Sequence, residues 1–234
     1  MSAELANRVV LITGASTGLG KAMAIHLGRQ GARVALNYCN SNERAQEAFT
    51  EFREAGGEGL LVQADATNEA AVAQMVAETE KALGPVDSLV VNATCDQPQR
   101  PIEEYDWAFY QSMIDFFLKS PYLLTRACLA GMKERRFGRI VNIGSEVYDR
   151  GVPNFSAYVA AKGGQRGWTK SLAMELAPWS ITVNMVSPGW IPVERHDTDP
   201  QQQRNQDYSK DSAHGLLTAS LLQATFDRAI QCLQ

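Results

Sequence analysis

The sequence predicts an α/β fold in which one parallel β-sheet is covered by helices on both faces, a doubly wound architecture. Three observations predict it. Short β-branched runs alternate with longer amphipathic stretches, the runs are largely apolar rather than alternating, and the first run leads into a glycine-rich turn. Strands that are apolar on both faces need helices on both faces. No linker or repeat divides the 234 residues, so we predict one domain.

The first half of the chain contains four predicted strands. The first strand is followed by the glycine-rich turn and then a helix, and strands and helices alternate from there. Gly84-Pro85 ends the third helix. The predicted strands are 9–12, 33–36, 60–62 and 88–91, and the second and third helices are 43–55 and 68–83.

The second half continues the pattern and brings the sheet to six strands. It contains a long helix over 104–133, a strand over 139–143, a helix over about 156–177 and a strand over 181–186. No seventh strand is visible. Residues 194–214 are rich in Asp, Gln, Arg and Ser, which predicts a mobile loop, and 216–233 is predicted to be a closing helix. We therefore divide the domain into a main part, 1–192, and an atypical C-terminal loop and helix, 193–234.

Composition and charge exclude several classes of function. The 22 Lys and Arg against 26 Asp and Glu give a net charge of -4, which argues against a nucleic-acid partner. No apolar run approaches the roughly 20 residues that cross a bilayer, and the first residues do not resemble a signal peptide. The cysteines and histidines show no metal-ligand spacing. We expect a reduced, metal-free, cytoplasmic protein.

The glycine-rich turn, Thr13–Gly20, has its glycines spaced G-x-x-x-G-x-G between a strand and a helix. Glycine allows a tight turn and close approach of the backbone to a pyrophosphate, which then lies at a helix N-terminus. The turn therefore predicts dinucleotide binding, although such a turn can also be purely structural. Asp65 and Asn92 end the third and fourth strands, at the sheet edge where ligands bind. The alternatives are a helix cap for Asp65 and a turn residue for Asn92.

Ser145, Tyr158 and Lys162 form the most informative group. Tyr158 and Lys162 are four residues apart on one predicted helix and share a face. A nearby ammonium favours ionisation of a phenol, which predicts a general acid or base that works near neutral pH. Ser145 follows the fifth strand, where its hydroxyl can hydrogen-bond a substrate oxygen.

The motifs T-G-A-S-T-G-L-G, Asn92-Ala93, Ser145, Y-V-A-A-K (158–162) and Pro188-Gly189 together resemble the short-chain dehydrogenase/reductase family, over residues 8 to about 192. The resemblance implies a Rossmann fold and hydride transfer between a nicotinamide cofactor and a carbonyl or alcohol carbon. It implies that Tyr158 exchanges a proton with the substrate oxygen, that Lys162 lowers the tyrosine pKa and holds the nicotinamide ribose, and that Ser145 orients the substrate. The cofactor-binding residues that it implies are Gly14, Ser16, Thr17, Gly18, Leu19, Gly20, Tyr38, Asp65, Ala66, Asn92, Ala93, Tyr158, Lys162, Pro188, Gly189 and Ile191.

Cofactor choice depends on the end of the second strand, 37–41, which reads N-Y-C-N-S. No carboxylate is present there to bind a ribose 2′-hydroxyl or repel a 2′-phosphate. The segment resembles NADP-using members of the family such as 3-oxoacyl-carrier-protein reductases, and Arg44 is the nearest basic residue. We predict NADP, with NAD as the alternative.

Three departures from the family pattern keep other functions open. Phe117 stands where an asparagine normally completes the catalytic tetrad, Thr94 replaces a glycine, and the usual C-terminal strand is missing. Our first hypothesis is an NADP-dependent oxidoreductase for a small carbonyl or alcohol substrate. The alternative is a nucleotide-binding protein of the same fold with little catalysis. By resemblance we also expect a homo-oligomer, a dimer or a tetramer.

Overall fold

The computed structural model describes residues 5–189, 191, 228 and 231–233. Its strands are β1 Val9–Ile12, β2 Arg33–Tyr38, β3 Glu58–Gln63, β4 Ser88–Val91, β5 Gly138–Ile143 and β6 Ile181–Val186. Within the described ranges they form one six-stranded parallel sheet in the order β3-β2-β1-β4-β5-β6. The prediction of a doubly wound α/β fold is confirmed.

Seven α-helices connect these strands within the described part of the chain. They are α1 Gly18–Arg29, α2 Asn42–Glu54, α3 Glu69–Leu83, α4 Trp107–Ile114, α5 Ser120–Arg135, α6 Val147–Arg150 and α7 Ser156–Leu176. Short 3₁₀ turns cover Ile102–Glu104 and Ala177–Trp179, and a π-helical segment, Asp115–Lys119, joins α4 to α5. No helix in the ranges that the structure describes is both long and apolar enough to cross a membrane.

The prediction of one uninterrupted helix over 104–133 is wrong. The helix begins at Trp107, because the side chain of Asp106 accepts a hydrogen bond from the Phe109 amide and so caps it. The π-helical segment then adds a residue to one turn. Single-turn π-bulges of this kind are frequent at functional sites.

Two apolar layers, one on each face of the sheet, form the core. Val9 and Leu11 of β1 face α3, α5 and α7, whereas Val10 and Ile12 face α1 and α2. Leu233 is buried on the α1 side. Residues 228 and 231–233 of the predicted closing helix are helical, and the rest of that helix and the predicted loop lie outside the described residues.

The strand order creates the crevice that holds the site. The chain runs outward from β1 to β3 and then returns to place β4 on the other side of β1. The loops after β1 and β4 therefore leave in opposite directions and open a gap at the carboxyl ends of the strands, where ligands bind in open parallel sheets.

Candidate active site

The turn after β1 is packed too tightly to accept side chains at two of its glycines. A Cβ on Gly20 would lie 2.2 Å from the Gly14 carbonyl oxygen, and one on Gly14 would lie 2.8 Å from Ala93 Cα. Gly14 also has a φ of +64°, in the left-handed region that favours glycine. The turn therefore forms a cradle lined by backbone rather than by side chains.

Hydrogen bonds hold this cradle to the strands on either side. Asn92 Nδ2 donates to the carbonyl oxygens of Thr13 and Gly14, both at 3.0 Å. The amides of Asn92 and Ala93 donate to Thr13 Oγ1 at 3.0 and 3.1 Å. On the β2 side, the Ala15 amide donates to the Asn37 carbonyl at 2.8 Å. Asn92 thus connects the end of β4 to the cradle, and this contact uses its side chain.

Helix α1 begins at Gly18, directly after the cradle. Its N-cap, Thr17, has extended backbone geometry and makes no side-chain capping bond. A helix N-terminus carries partial positive charge and amide donors that bind phosphate. Ser16, Thr17, Gly18 and Leu19 are all half-buried at this point. The glycine-lined cradle and the start of α1 together fit the pyrophosphate of a dinucleotide.

At the end of β2, the side chain of Asn37 is engaged by backbone and not by a ligand. Its Nδ2 donates to the carbonyls of Ala64, at 3.0 Å, and Tyr38, at 3.2 Å. Tyr38 is itself buried and its hydroxyl donates to Asn42 Oδ1 at 2.8 Å, at the start of α2. The next residue, Cys39, lies at the surface. Its thiol is still partly shielded from water, and this desolvation, together with the negative charge of Asp65, raises the pKa of the thiol.

The alternative role of Asp65 as a helix cap is wrong. The exposed Asp65 carboxylate accepts hydrogen bonds from the amide, at 2.8 Å, and the hydroxyl, at 2.7 Å, of Thr67. Asn68 caps α3 instead, accepting from the Ala71 amide at 3.0 Å. Ala66 is buried beneath this turn. Asp65 therefore orders the turn that follows β3, next to the end of β2.

The side chain of Lys162 is buried at the carboxyl end of β5. Its Nζ donates to the Ile143 carbonyl at 2.6 Å and to Gln165 Oε1 at 3.1 Å. Burial lowers the pKa of this ammonium to about 7, because desolvation penalises the charged form. Burial therefore works against the charged form of Lys162, whereas its two hydrogen bonds favour that form.

The π-helical segment brings Phe117 directly against this lysine. The Phe117 ring is 1% exposed, and its centroid lies 4.1 Å from Lys162 Nζ. The ring also meets Tyr158 edge-on, with centroids 5.2 Å apart, and Phe155 contacts Tyr158 at 4.8 Å. Tyr158 is thus held between two aromatic rings, and the Phe117 ring covers the lysine ammonium.

Ser145 joins this group from the loop after β5. Its hydroxyl oxygen accepts a long hydrogen bond, 3.4 Å, from the Val147 amide. The next residue, Glu146, donates its amide to the Pro188 carbonyl at 3.2 Å, and its carboxyl lies 3.4 Å from the position of a Cβ on Gly189. Glu146 therefore connects the loop that carries Ser145 to Pro188 and Gly189, at the carboxyl ends of β5 and β6. Ile191 is half-buried.

Sequence reasoning missed Gln165. This residue is 1% exposed and hydrogen-bonds the candidate catalytic lysine. The available signal was its position: a polar side chain three residues after Lys162 lies on the same, inward face of the helix. No group of three or more His, Cys, Asp or Glu that could hold a metal ion occurs among the described residues.

Comparison with known proteins identifies relatives along most of the chain. A family model described as short chain dehydrogenase matches residues 8–207. The 3-oxoacyl-[acyl-carrier-protein] reductase of Synechocystis sp. is 39% identical over 189 residues, which cover 80% of this chain and 75% of that protein.

Several solved structures of dehydrogenases and reductases are also similar to this chain. Levodione reductase has a TM-score of 0.87 at 28% identity and covers 99% of this chain and 92% of its own. An NAD⁺-bound xylitol dehydrogenase has a TM-score of 0.79 at 29% identity, covering 86% and 75%. A metagenomic short-chain oxidoreductase in complex with NADP has a TM-score of 0.75 at 35% identity, covering 80% and 84%.

Proposed function

The chain belongs to the short-chain dehydrogenase family and is an oxidoreductase of alcohol or carbonyl groups, and from that premise we propose that it transfers a hydride between NADP(H) and a small carbonyl or alcohol substrate. One observation carries the proposal. Tyr158 and Lys162 lie on one helix, with the lysine bonded to the end of β5, in a sheet whose β1 and β4 hold a cradle fit for a pyrophosphate.

In this proposal, Tyr158 donates its hydroxyl proton to the substrate carbonyl oxygen as the carbonyl carbon receives the hydride. Lys162 supplies positive charge beside the phenol, which favours its ionised form, and holds the nicotinamide ribose. The hydroxyl of Ser145 orients the substrate oxygen. NADP(H), when bound, supplies or accepts the hydride. The residues that hold the cofactor in this proposal are Gly14, 16–20, Tyr38, Asp65, Ala66, Asn92, Ala93, Tyr158, Lys162, Pro188, Gly189 and Ile191.

The preference for NADP over NAD rests on the end of β2. Residues 37–41 include no carboxylate, which leaves nothing there to repel a 2′-phosphate. Arg44 is exposed in the first turn of α2, where a cation can pair with that phosphate. Arg44→Gln should weaken NADPH binding and leave NADH binding unchanged. Equal weakening of both, or of neither, contradicts this assignment.

The first test is a fluorescence titration of the protein with NADPH and, separately, with NADH, followed by a screen of aldehydes and ketones. We expect selective NADPH binding and turnover of at least one carbonyl compound. Tyr158→Phe should still bind NADPH, since the other residues that hold the cofactor remain, and should lose turnover, because it removes the exchangeable proton. A variant that retains wild-type turnover contradicts the role of Tyr158.

One observation favours a second candidate, a nucleotide-binding protein with little catalysis. The Phe117 ring covers Lys162 Nζ and separates it from a polar route to solvent. In that case NADPH binds but no carbonyl compound is reduced, and Tyr158→Phe changes nothing measurable.

Assembly and location are part of the same proposal. Trp107 on α4 and Met174 on α7 are 70% and 81% exposed, and burying such side chains against a second copy of the chain would stabilise an oligomer. They support a homo-oligomer, either dimer or tetramer, and a monodisperse monomer in light scattering contradicts it. None of the four cysteines, all of which lie in the described part of the chain, forms a disulfide, which is consistent with a reducing compartment such as the cytoplasm.

The C-terminal part, 193–234, completes the same domain as 1–192 in this proposal. Leu233 supports it, because this side chain is 2% exposed and packs in the same apolar layer as Leu5 and Val10. Truncation after residue 192 should therefore expose part of that layer and cause aggregation. A truncated chain that stays folded and dispersed contradicts the assignment.

A further inference from the structure

Lys162 lies at the end of a chain of buried polar groups that continues into the core. Lys162 Nζ donates to the side-chain oxygen Oε1 of Gln165 at 3.1 Å. The backbone carbonyl of Gln165 accepts a hydrogen bond from Thr169 Oγ1 at 2.7 Å. Asn142 Nδ2 of β5 then donates to Thr169 Oγ1 at 3.1 Å. All four side chains are buried. Buried polar groups are costly unless paired, so these bonds fix α7 against β5.

Few groups around the Lys162 ammonium can accept a hydrogen bond from it. An ammonium has three N–H donors. Within the described residues, one is bonded to the Ile143 carbonyl and one to Gln165 Oε1, and the Phe117 ring lies 4.1 Å from the nitrogen. Gln165 is the sole side-chain hydrogen-bond acceptor for Nζ in this part of the chain. A hydrogen bond to a charged donor is stronger than one to a neutral donor, so Gln165 favours the protonated lysine.

We propose that Gln165 is a positioning residue for the reaction, which holds Lys162 against the end of β5 and maintains its positive charge beside Tyr158. This role rests on the proposed function, in which Lys162 acts on Tyr158. Loss of the Gln165 oxygen leaves a buried N–H unpaired, which favours the neutral amine and frees the side chain to move. A carboxylate at the same position retains the acceptor and adds an opposite charge.

Two other titratable groups face this ammonium. Tyr158 lies one turn earlier on α7, with its ring centroid 5.8 Å from Nζ, and Cys95, in the loop after β4, interacts electrostatically with it. The contacts from β5 and the π-helical segment are a backbone carbonyl and a phenyl ring, which do not titrate. All of these groups are retained when only residue 165 is changed.

The test measures the titration of Lys162 directly, by NMR of lysine-labelled protein, with its signal assigned by loss in Lys162→Met. Gln165→Met keeps the volume and removes the acceptor, so the Lys162 pKa should fall by about one pH unit, a tenfold loss of proton affinity. Gln165→Glu should raise it by about as much. Gln46→Met, the same substitution on the exposed face of α2, should leave it unchanged. An unchanged pKa in Gln165→Met, or no rise in Gln165→Glu, overturns the proposal.

Kinetics give a second readout that a packing role does not move. Gln165→Met should lower kcat with little change in the KM of the carbonyl substrate, and Gln165→Glu should restore most of the lost rate. Should Gln165→Met fail to fold, the direction of the shift in Gln165→Glu decides the question alone. Opposite pKa shifts in a protein without turnover reject the proposed function, and with it the role in the reaction, but show that Gln165 maintains the charge of Lys162. Turnover with no pKa shift supports the proposed function and rejects the role of Gln165.

Discussion

The buried lysine makes the stability of this protein depend on pH in a way that one substitution can isolate. In the folded protein the pKa of Lys162 is about 7, against an ordinary value of 10.5. Between these values the unfolded chain binds nearly one proton more than the folded chain. The free energy of unfolding therefore rises with pH across this window. Above it, the lysine is neutral in both the folded and the unfolded chain, so its titration no longer lowers the stability. Lys162→Met, which keeps the length of the side chain, removes the effect.

The size of the effect follows from the linkage between proton binding and folding. One proton corresponds to about 1.4 kcal/mol per pH unit. From pH 7.5 to pH 9.5 the free energy of unfolding of the wild type should thus gain about 2.5 kcal/mol relative to Lys162→Met. The comparison cancels the titrating groups that do not interact with Lys162, since both proteins carry them.

Urea unfolding followed by circular dichroism, at pH steps from 7.5 to 9.5, measures this difference. Lys170→Met provides the matched control, because Lys170 lies on the same helix with its side chain exposed. Its difference from the wild type should stay flat. A flat difference for Lys162→Met as well would refute the reasoning, because it would mean that the lysine stays solvated and charged in the folded protein, with an ordinary pKa.

Three further predictions concern the cradle, the phenyl ring and the thiols. Phe117→Asn should lower the free energy of unfolding by about 3 kcal/mol, because it empties a buried site. It should also raise turnover by opening Lys162 to solvent. An unchanged rate in a carbonyl reduction assay contradicts the shielding of Lys162 by the Phe117 ring. Gly20→Ala should abolish NADPH binding in the fluorescence titration, because the new Cβ meets the cradle at 2.2 Å, whereas Gly167→Ala, with open space around it, should not. Ellman's reagent should label the exposed Cys39 well before Cys128, since burial raises the pKa of Cys128 to about 12; equal rates contradict that burial.

Sequence patterns predicted the sheet because every strand is a local apolar run with a turn after it. The six strands lie at the predicted positions, with ends that differ by a few residues, as for the predicted 60–62 against the observed Glu58–Gln63. The start of α4 was misplaced, since Asp106 was not recognised as its cap. The π-helical segment was also missed, because Asp115–Lys119 contains no Pro or Gly to mark an irregular turn.

Site residues that belong to a sequence motif could be predicted, whereas contacts that depend on tertiary packing could not. The sequence alone assigned Phe117 to a position near the catalytic group, but not the 4.1 Å contact between its ring and Lys162 Nζ. For Gln165 the sequence offered a position three residues after Lys162, on the same helix face, but not the hydrogen bond between the two side chains. Both contacts depend on how α7, β5 and the π-helical segment meet in three dimensions, which local periodicity does not encode.

The π-helical segment also restricts how the length of this part of the chain can change. Each residue of an α-helix turns it by about 100°, so deletion of one residue between 115 and 119 would rotate α4 by that angle relative to α5. Trp107 would then leave the outer surface and the chain before the deletion would face a different neighbour. Homologues that conserve the Lys162 environment should therefore vary in residue type along Asp115–Lys119 while keeping its number of residues.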